Sequence, residues 1–371
     1  MIWGIISDTH DDRAHVLPRI VKELIARGAK VIIHCGDIKP EHVKSEILGN
    51  MEVFCALVEK QKEKPEFKSL VENPPPKWTF TFPGLEEERI VPIHDIMCYV
   101  GHKRSFEFLF SPEMEFSKTL DSLRKNFDGL RWVFAGHSHQ QTFFKTHLVT
   151  FVNPGAVEDS YDGYEFATVN TDTNEVVFCR IPKTIPIETT FSIGIISDTL
   201  NISKIDTSFW QKLRKEFEER GVTHIIHCGN IALEDIGHRE LQNFSVYYKL
   251  RKNRQPQIYR GQVPENWKEI PDTEPIVKIN DRQFYVHSDL ARILLEESGA
   301  EMHRECLKIL EAYPEVGFIL YSGSNNAFLQ EDQRARIINP GNAFTRSFVV
   351  LCSPRDEMTI GYVPIDPLPQ D

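Results

Sequence analysis

Gly4-Ile5-Ile6-Ser7-Asp8-Thr9 stands near the start of the chain, and the same six residues return as Gly194-Ile195-Ile196-Ser197-Asp198-Thr199. Each copy is an apolar run that stops at an acidic residue. That is the pattern of a strand buried on both faces with a polar turn at its carboxyl end. The first copy is followed by His10 and the second by Leu200. A residue type that ligates metals has become aliphatic in the repeat, and the functional reading turns on that difference.

Beyond Thr9, Leu17, Ile20, Val21, Leu24 and Ile25 recur at helical spacing, with Pro18 in the first turn and Gly28 as the stop. Val31-Ile32-Ile33-His34-Cys35 is a second buried strand, ending at Gly36-Asp37. A strand–helix–strand unit implies a parallel pair with a right-handed crossover. Asp8 and Asp37 then lie at the carboxyl ends of neighbouring strands, where sites in such sheets collect. Val53–Val58 reads as a third strand, followed by a Lys/Glu-rich run from Glu59 to Glu72. Trp78–Phe82 and Ile96–Val100 read as strands of a second sheet, with Glu86-Glu87-Glu88 as a solvated turn between them. Phe116, Leu120, Leu123 and Phe127 mark a helix face before the strand Trp132-Val133-Phe134. Gly136-His137-Ser138-His139, Asn153-Pro154-Gly155 and the strands Ala167–Asn170 and Val176–Cys179 follow.

The second half repeats this order. His224-Ile225-Ile226-His227-Cys228-Gly229-Asn230 mirrors Lys30–Asp37, Tyr285-Val286 mirrors Tyr99-Val100, and Asn339-Pro340-Gly341 mirrors Asn153-Pro154-Gly155. Offsets of 186 to 193 residues between matching positions indicate one duplication rather than a solenoid. The expected domains are 1–180 and 191–371, joined by a linker at 181–190 that carries Pro182 and Pro186. The expected fold class is α/β, two tandem β-sandwiches of α+β, four-layer type flanked by helices.

Composition narrows the function classes. The formal charge is −11 over 371 residues, and neither half is basic, which argues against a grip on duplex nucleic acid driven by phosphate neutralisation. The cysteines number seven, an odd count, and several sit in apolar runs. Cys35 pairs with Cys228 and Cys179 with Cys352 as equivalent positions, and free thiols in a reducing compartment explain them better than disulfides. No signal peptide and no run long enough to span a bilayer is read, so a cytoplasmic location is expected.

In the first copy every strand end carries ligand-type residues: Asp8 and His10, Asp37, His102, and His137 with His139. Mixed carboxylate and imidazole suits zinc, manganese or iron rather than calcium or magnesium. Six such groups exceed the ligands of one catalytic ion, so two ions sharing a carboxylate is the economical arrangement. Asp8-Thr9-His10, Gly36-Asp37, Gly101-His102, Gly136-His137-Ser138-His139 and Asn153-Pro154-Gly155 together resemble the signature of calcineurin-like metallophosphoesterases. Within that superfamily they are similar to the small bacterial and archaeal phosphodiesterases, whose relatives include a retromer scaffold subunit. The resemblance implies a two-sheet sandwich with a dimetal site, manganese being favoured over zinc and iron. One ion would take Asp8, His10, Asp37 and His139. The other would share Asp37 and add His102 and His137. Asp37 and His102 would be catalytic, and water between the ions would be the nucleophile.

Two departures from the family pattern stand out. Val58-Glu59-Lys60-Gln61 replaces the family's Gly-Asn motif, so Glu59 could supply the missing oxygen ligand or point to solvent. Arg104 stands where the family has a second histidine after His102, and it could bind a substrate phosphate or lie on the surface. The second copy has lost the set: Leu200 replaces His10, Asn230 replaces Asp37, and Ser324 and Asn326 replace His137 and His139. Asp198 remains, and His287 lies near the place of His102, one position off. That half is expected not to catalyse but to support, cover or dimerise. The leading expectation is a phosphoesterase acting on a small phosphorylated substrate, a diester or nucleotide type. The competing one is a protein-binding scaffold of the same fold. A nucleotide-sensing second half is a third, without a Gly-rich phosphate loop to support it.

Overall fold

The computed structural model describes the chain except residues 10–15, 45–47, 49–50, 83–88, 103–112, 158–162, 183–189, 201, 203–205, 207, 232–237, 251–262, 289–298, 324–325, 332–333, 344, 354 and 365–371. The side chains of residues 44, 59, 62, 113–116 and 299–303 also fall outside the described set. Two compact units emerge, Met1–Pro186 with Leu329–Gln333, and Ile187–Phe328 with Arg334–Asp371.

In the first unit, β1 (Ile2–Ile6) lies between β2 (Ala29–His34), to which it is parallel, and the antiparallel β10 (Gly163–Asn170). The sheet continues through β3 (Glu52–Ala56) and β4 (Trp78–Thr81) on one side and β11 (Glu175–Pro182) on the other. A second sheet runs β8-β9-β7-β6-β5, formed by Gln141–Lys145, Thr150–Pro154, Leu130–Ala135, Ile96–Gly101 and Ile90–Ile93. The two sheets pack face to face. Trp3 of β1 meets Phe134 of β7 edge-on at 6.2 Å, and Thr81 Oγ1 donates to Val100 O across the layers at 2.7 Å.

The opposite face of β1 and β2 is covered by α1 (Leu17–Ala26), whose Leu17, Ile20, Val21 and Leu24 are buried. Ile25, which the spacing puts on the same face, is instead 56% exposed. Gly4 is small for a steric reason: a Cβ there would lie 2.7 Å from Leu24 Cδ1, so only glycine lets α1 seat on the strand. A Cβ on Gly194 would likewise lie 2.7 Å from the ring of Phe217. The repeated Gly-Ile-Ile is therefore a packing device at both places.

Trp78–Thr81 does not join the second sheet as its sequence suggested. It pairs in parallel with β3, Val53 opposite Trp78 and Cys55 opposite Phe80. The Lys/Glu-rich run between them forms α3 (Glu59–Lys62) and α4 (Pro65–Glu72), and this crossover returns the chain to the same sheet. Phe67 and Leu70 of α4 complete the helix-side core. Glu86-Glu87-Glu88 lies outside the described residues.

The second unit repeats the pairing pattern. β12 (Ser192–Ile196) is parallel to β13 (His224–His227) and antiparallel to β21 (Ser347–Cys352). β14 (Ser245–Tyr248), β15 (Trp267–Glu269) and β22 (Glu357–Tyr362) extend that sheet, with the helix Phe209–Glu219 packed on it through Trp210, Leu213 and Phe217. β16 (Ile276–Ile279), β17 (Arg282–His287), β18 (Phe318–Tyr321) and β20 (Arg336–Pro340) line up in its other sheet.

All seven cysteines are free. Cys35 and Cys228 follow matching strands, but Cys179 and Cys352 are not equivalent. Cys179 lies on β11, whereas Cys352 pairs with Ser192 on β21, the strand that answers to β10. Among the described residues no helix is long and apolar enough to cross a membrane.

Candidate metal centre

The strands of the first unit deliver their ligand-type residues through turns with left-handed backbone. Asp8, Asp37, His137 and His139 have φ of 56°, 54°, 91° and 57°. Each such non-glycine residue costs roughly 1–3 kcal/mol and persists only where its surroundings hold it. Here neighbouring turns hold one another: Asp8 N donates to Gly36 O at 3.0 Å and Thr9 N to Asp37 O at 3.1 Å. Two glycines admit the approach. A Cβ on Gly36 would sit 2.3 Å from His102 Cβ, and one on Gly136 would sit 1.9 Å from Ser7 Oγ.

Asp8 is 1% exposed. Its Oδ2 accepts from Ser7 Oγ at 2.6 Å and from His137 N at 3.3 Å. Its Oδ1 lies 3.1 Å from His139 Nε2 and 3.6 Å from His102 Nε2, yet receives no well-aligned hydrogen bond. Burial alone would raise this carboxyl, but His139, His102 and Ser7 outweigh it and hold the pKa at about 2. The site thus contains a buried carboxylate anion.

His102 Nδ1 lies 3.0 Å from Cys35 O. A carbonyl only accepts, so Nδ1 carries the proton and Nε2 faces the site with its lone pair. Burial also pushes the His102 pKa down, which favours the neutral ring. Asp8, Asp37 and His102 each present a ligand atom within 4.8 Å of the others. His137 adjoins them, its Nδ1 3.1 Å from His102 Nε2. A carboxylate oxygen without an aligned donor, set among imidazole nitrogens, is a donor set that fits a divalent transition metal, with the Cys35 carbonyl orienting one ligand from behind.

Several described residues behind the ligands are tied down by hydrogen bonds. Asn153, 1% exposed, donates through Nδ2 to Ser138 Oγ at 2.8 Å and accepts from Gly155 N at 3.0 Å, which ties down the turn bearing His137 and His139. His34 is fully buried, accepts from Gly36 N at 3.2 Å and meets Thr9 Oγ1 at 3.0 Å. Burial drives its pKa to about 3, so it is a neutral structural histidine. Gln61, 4% exposed, reaches Asp37 Oδ1 at 3.4 Å from the first turn of α3.

Of the residues singled out from sequence, the structure brings together Asp8, Asp37, His102, His137 and His139. His10 and Arg104 lie outside the described residues, as does the side chain of Glu59. Gln61 was not singled out from sequence. It is the N3 residue of a helix whose N-cap is Val58, and a Gln at N3 is a known capping signal.

The matching place in the second unit is built differently. Tyr99 pairs with Val133 and Val100 with Phe134, just as Tyr285 pairs with Ile319 and Val286 with Leu320. This register makes Gly323 the counterpart of His137, and their φ values of 97° and 91° agree. Gly323 N also donates to Asp198 Oδ2, at 2.9 Å, as His137 N does to Asp8. The pairing of His137 and His139 with Ser324 and Asn326 is therefore one residue out of step, and Ser324 lies outside the described residues. Likewise Ser288, not His287, answers to His102: a Cβ on Gly229 would meet Ser288 Cβ at 3.0 Å. Asn230, in the place of Asp37, donates its Nδ2 to Asp198 Oδ1. Both carboxylate oxygens of Asp198 are thus met by protein donors.

The family model described as Calcineurin-like phosphoesterase superfamily domain matches residues 1–174. Among solved structures, an archaeal phosphodiesterase is 19% identical and covers 49% of this chain and 100% of its own, with a TM-score of 0.36. Vacuolar protein sorting 29 from Cryptosporidium parvum is 18% identical, covering 49% of this chain and 92% of that one, with a TM-score of 0.35. The phosphoesterase YfcE of E. coli is 16% identical, covering 49% and 93%, with a TM-score of 0.32. No curated protein matches the sequence.

Proposed function

We propose, from the match of residues 1–174 to the calcineurin-like phosphoesterase superfamily domain, that the chain is a metal-dependent phosphoesterase acting on a small phosphodiester or nucleotide-type substrate. The observation that carries the reading is Asp8 Oδ1, a buried anionic oxygen without an aligned donor, faced by His139 and His102. Asp8 is held as an anion, and a cation in reach of Asp8, Asp37 and His102 would find an oxygen with lone pairs to spare. When bound, a pair of divalent ions, with manganese favoured, would stabilise charge on phosphoryl oxygens and lower the pKa of a water toward about 7.

The chain's own contribution is placement. Ser7 Oγ and His137 N hold one oxygen of Asp8, so the other faces the site. The Cys35 carbonyl fixes the His102 tautomer, and Asn153 anchors the His137–His139 turn through Ser138. His10 and Glu59 complete the proposed ligand set, and Arg104 is the proposed phosphate contact. The second unit supports a structural role, because Asn230 and Gly323 already satisfy Asp198. Its matching strand register supports a tandem duplication with a degenerate second copy. Free cysteines throughout support a reducing, cytoplasmic setting.

Elemental analysis of the purified chain, beside hydrolysis of an aryl phosphodiester with Mn²⁺, tests this function. Wild type is expected to hold two ions and turn over, and Asp37→Asn to abolish turnover. Unchanged turnover in Asp37→Asn removes the mechanism. No ion and no turnover in wild type favours the scaffold reading instead.

A further inference from the structure

Resting on the metal-site reading above, we infer that Gln61 is a positioning residue for Asp37 and sets how tightly the site holds its cation. The Gln61 side chain is buried and makes contacts in opposite directions. Its Nε2 donates to Ile38 O at 2.6 Å and reaches Asp37 Oδ1 at 3.4 Å, while its Oε1 accepts from Val58 N at 3.0 Å. These partners fix which way the amide points. Turned over, its oxygen would face two oxygens and its NH₂ group would face an N–H.

Two consequences follow from that orientation. The amide presents a donor, not a ligand oxygen, to the metal-facing carboxylate. Its own oxygen is committed to the start of α3 and is not offered to a cation. Asp37 is thereby held on both sides: its left-handed backbone follows Gly36, and its side chain is steered by an amide anchored to Ile38 and to the rigid end of β3. A hydrogen bond of this kind to a ligating group alters metal affinity by about 10–100-fold. Gln61 touches neither the reacting atoms nor the cation, and acts through Asp37.

The test uses full-length protein stripped with chelator and titrated with Mn²⁺ by calorimetry, with thermal melting in chelator as a second readout. Gln61→Met keeps the side-chain length and removes all three polar contacts. Gln61→Glu keeps an acceptor for Val58 N but turns a second negative oxygen toward Asp37. The Met variant is expected to bind Mn²⁺ about 10–100-fold more weakly than wild type. The Glu variant is expected to melt lower than wild type in chelator, through like-charge crowding, and to gain more from added Mn²⁺. A residue that only caps α3 and ties it to Ile38 gives a different result: the Glu variant melts lower through the lost Ile38 contact, yet its Mn²⁺ affinity and its gain in melting temperature from Mn²⁺ match wild type, which overturns the inference. A Met variant that binds Mn²⁺ as tightly as wild type overturns it too, and if the Met variant does not fold, the Glu variant decides. Failure of wild type itself to bind Mn²⁺ sinks the proposed function, and this inference with it.

Discussion

Replacing Gly136 by alanine tests the geometry of the site without touching any charged group. The added methyl carbon would lie 1.9 Å from Ser7 Oγ and 3.0 Å from His102 Nδ1. Ordinary contact begins near 3.4 Å, so the hydroxyl and the methyl must part by about 1.5 Å. Ser7 is fully buried, and its carbonyl is tied to Val157 N at 3.1 Å, so its side chain has little room to yield. Overpacking of this kind costs about 1–3 kcal/mol. Breaking the Ser7 hydrogen bond to the Asp8 carboxylate adds about 1.5–3 kcal/mol. A total on the order of 4 kcal/mol lowers the melting temperature of a unit this size by roughly 8–16 °C. Displacing the ligand-bearing turn by about 1 Å lowers kcat/KM for an aryl phosphodiester by about 100-fold. Gly129→Ala is the control. Unlike Gly136 it has a positive φ, 78°, but an added Cβ would have Met97 Cγ as its nearest neighbour at 3.6 Å, so it bears only backbone strain and keeps its turnover. A Gly136→Ala enzyme with kcat/KM within about threefold of wild type, measured below its melting range, would show that the space beside Ser7 does not set the geometry of the site.

Two further outcomes are expected in the second unit. Asn230→Ala leaves Asp198 Oδ1 without its amide donor, which lowers the stability of that unit by about 1–2 kcal/mol in urea unfolding and leaves hydrolysis unchanged; a loss of turnover would show that the second site takes part in catalysis. Burial depresses the His227 pKa from 6.5 to about 3, so as pH falls below 6.5 the unfolded chain takes up a proton that the folded chain refuses. Stability is therefore lost from pH 6.5 down to about 3, at about 1.4 kcal/mol per pH unit. His227→Gln should flatten that acid slope in urea titrations at pH 7 and 5, with His34 supplying part of what remains, and an unaltered slope would show that His227 is not its source.

The buried strands and the ligand-type residues at their ends were legible in sequence because each rests on a local pattern. An apolar run, an acidic residue and a glycine declare themselves without tertiary context. Other features depended on partners that no local pattern names. Trp78–Thr81 is a strand by composition, but its sheet is chosen by the crossover through α4, which sequence spacing does not encode. Setting Ser324 and Asn326 against His137 and His139 misplaced the repeat by one residue, because two glycines look alike in sequence although Gly323 serves a left-handed backbone and Gly136 the space beside Ser7. Gln61 carries no ligand-type signal and stands two residues past Glu59, the acidic residue at the strand end, yet the turn of α3 swings it back over Asp37. His10, Arg104 and the Glu59 side chain lie beyond what the described residues address.

The left-handed turns recur where no cation is called for. Asp198 and Asn230 have φ of 52° and 55°, beside 56° and 54° for Asp8 and Asp37. The same bend accompanies the same sheet pairing and glycine packing in both units. On the proposed function, a cation held by Asp8, Asp37 and His102 would enter turns that are already bent, so its uptake should be limited by shedding of the ion's hydration water.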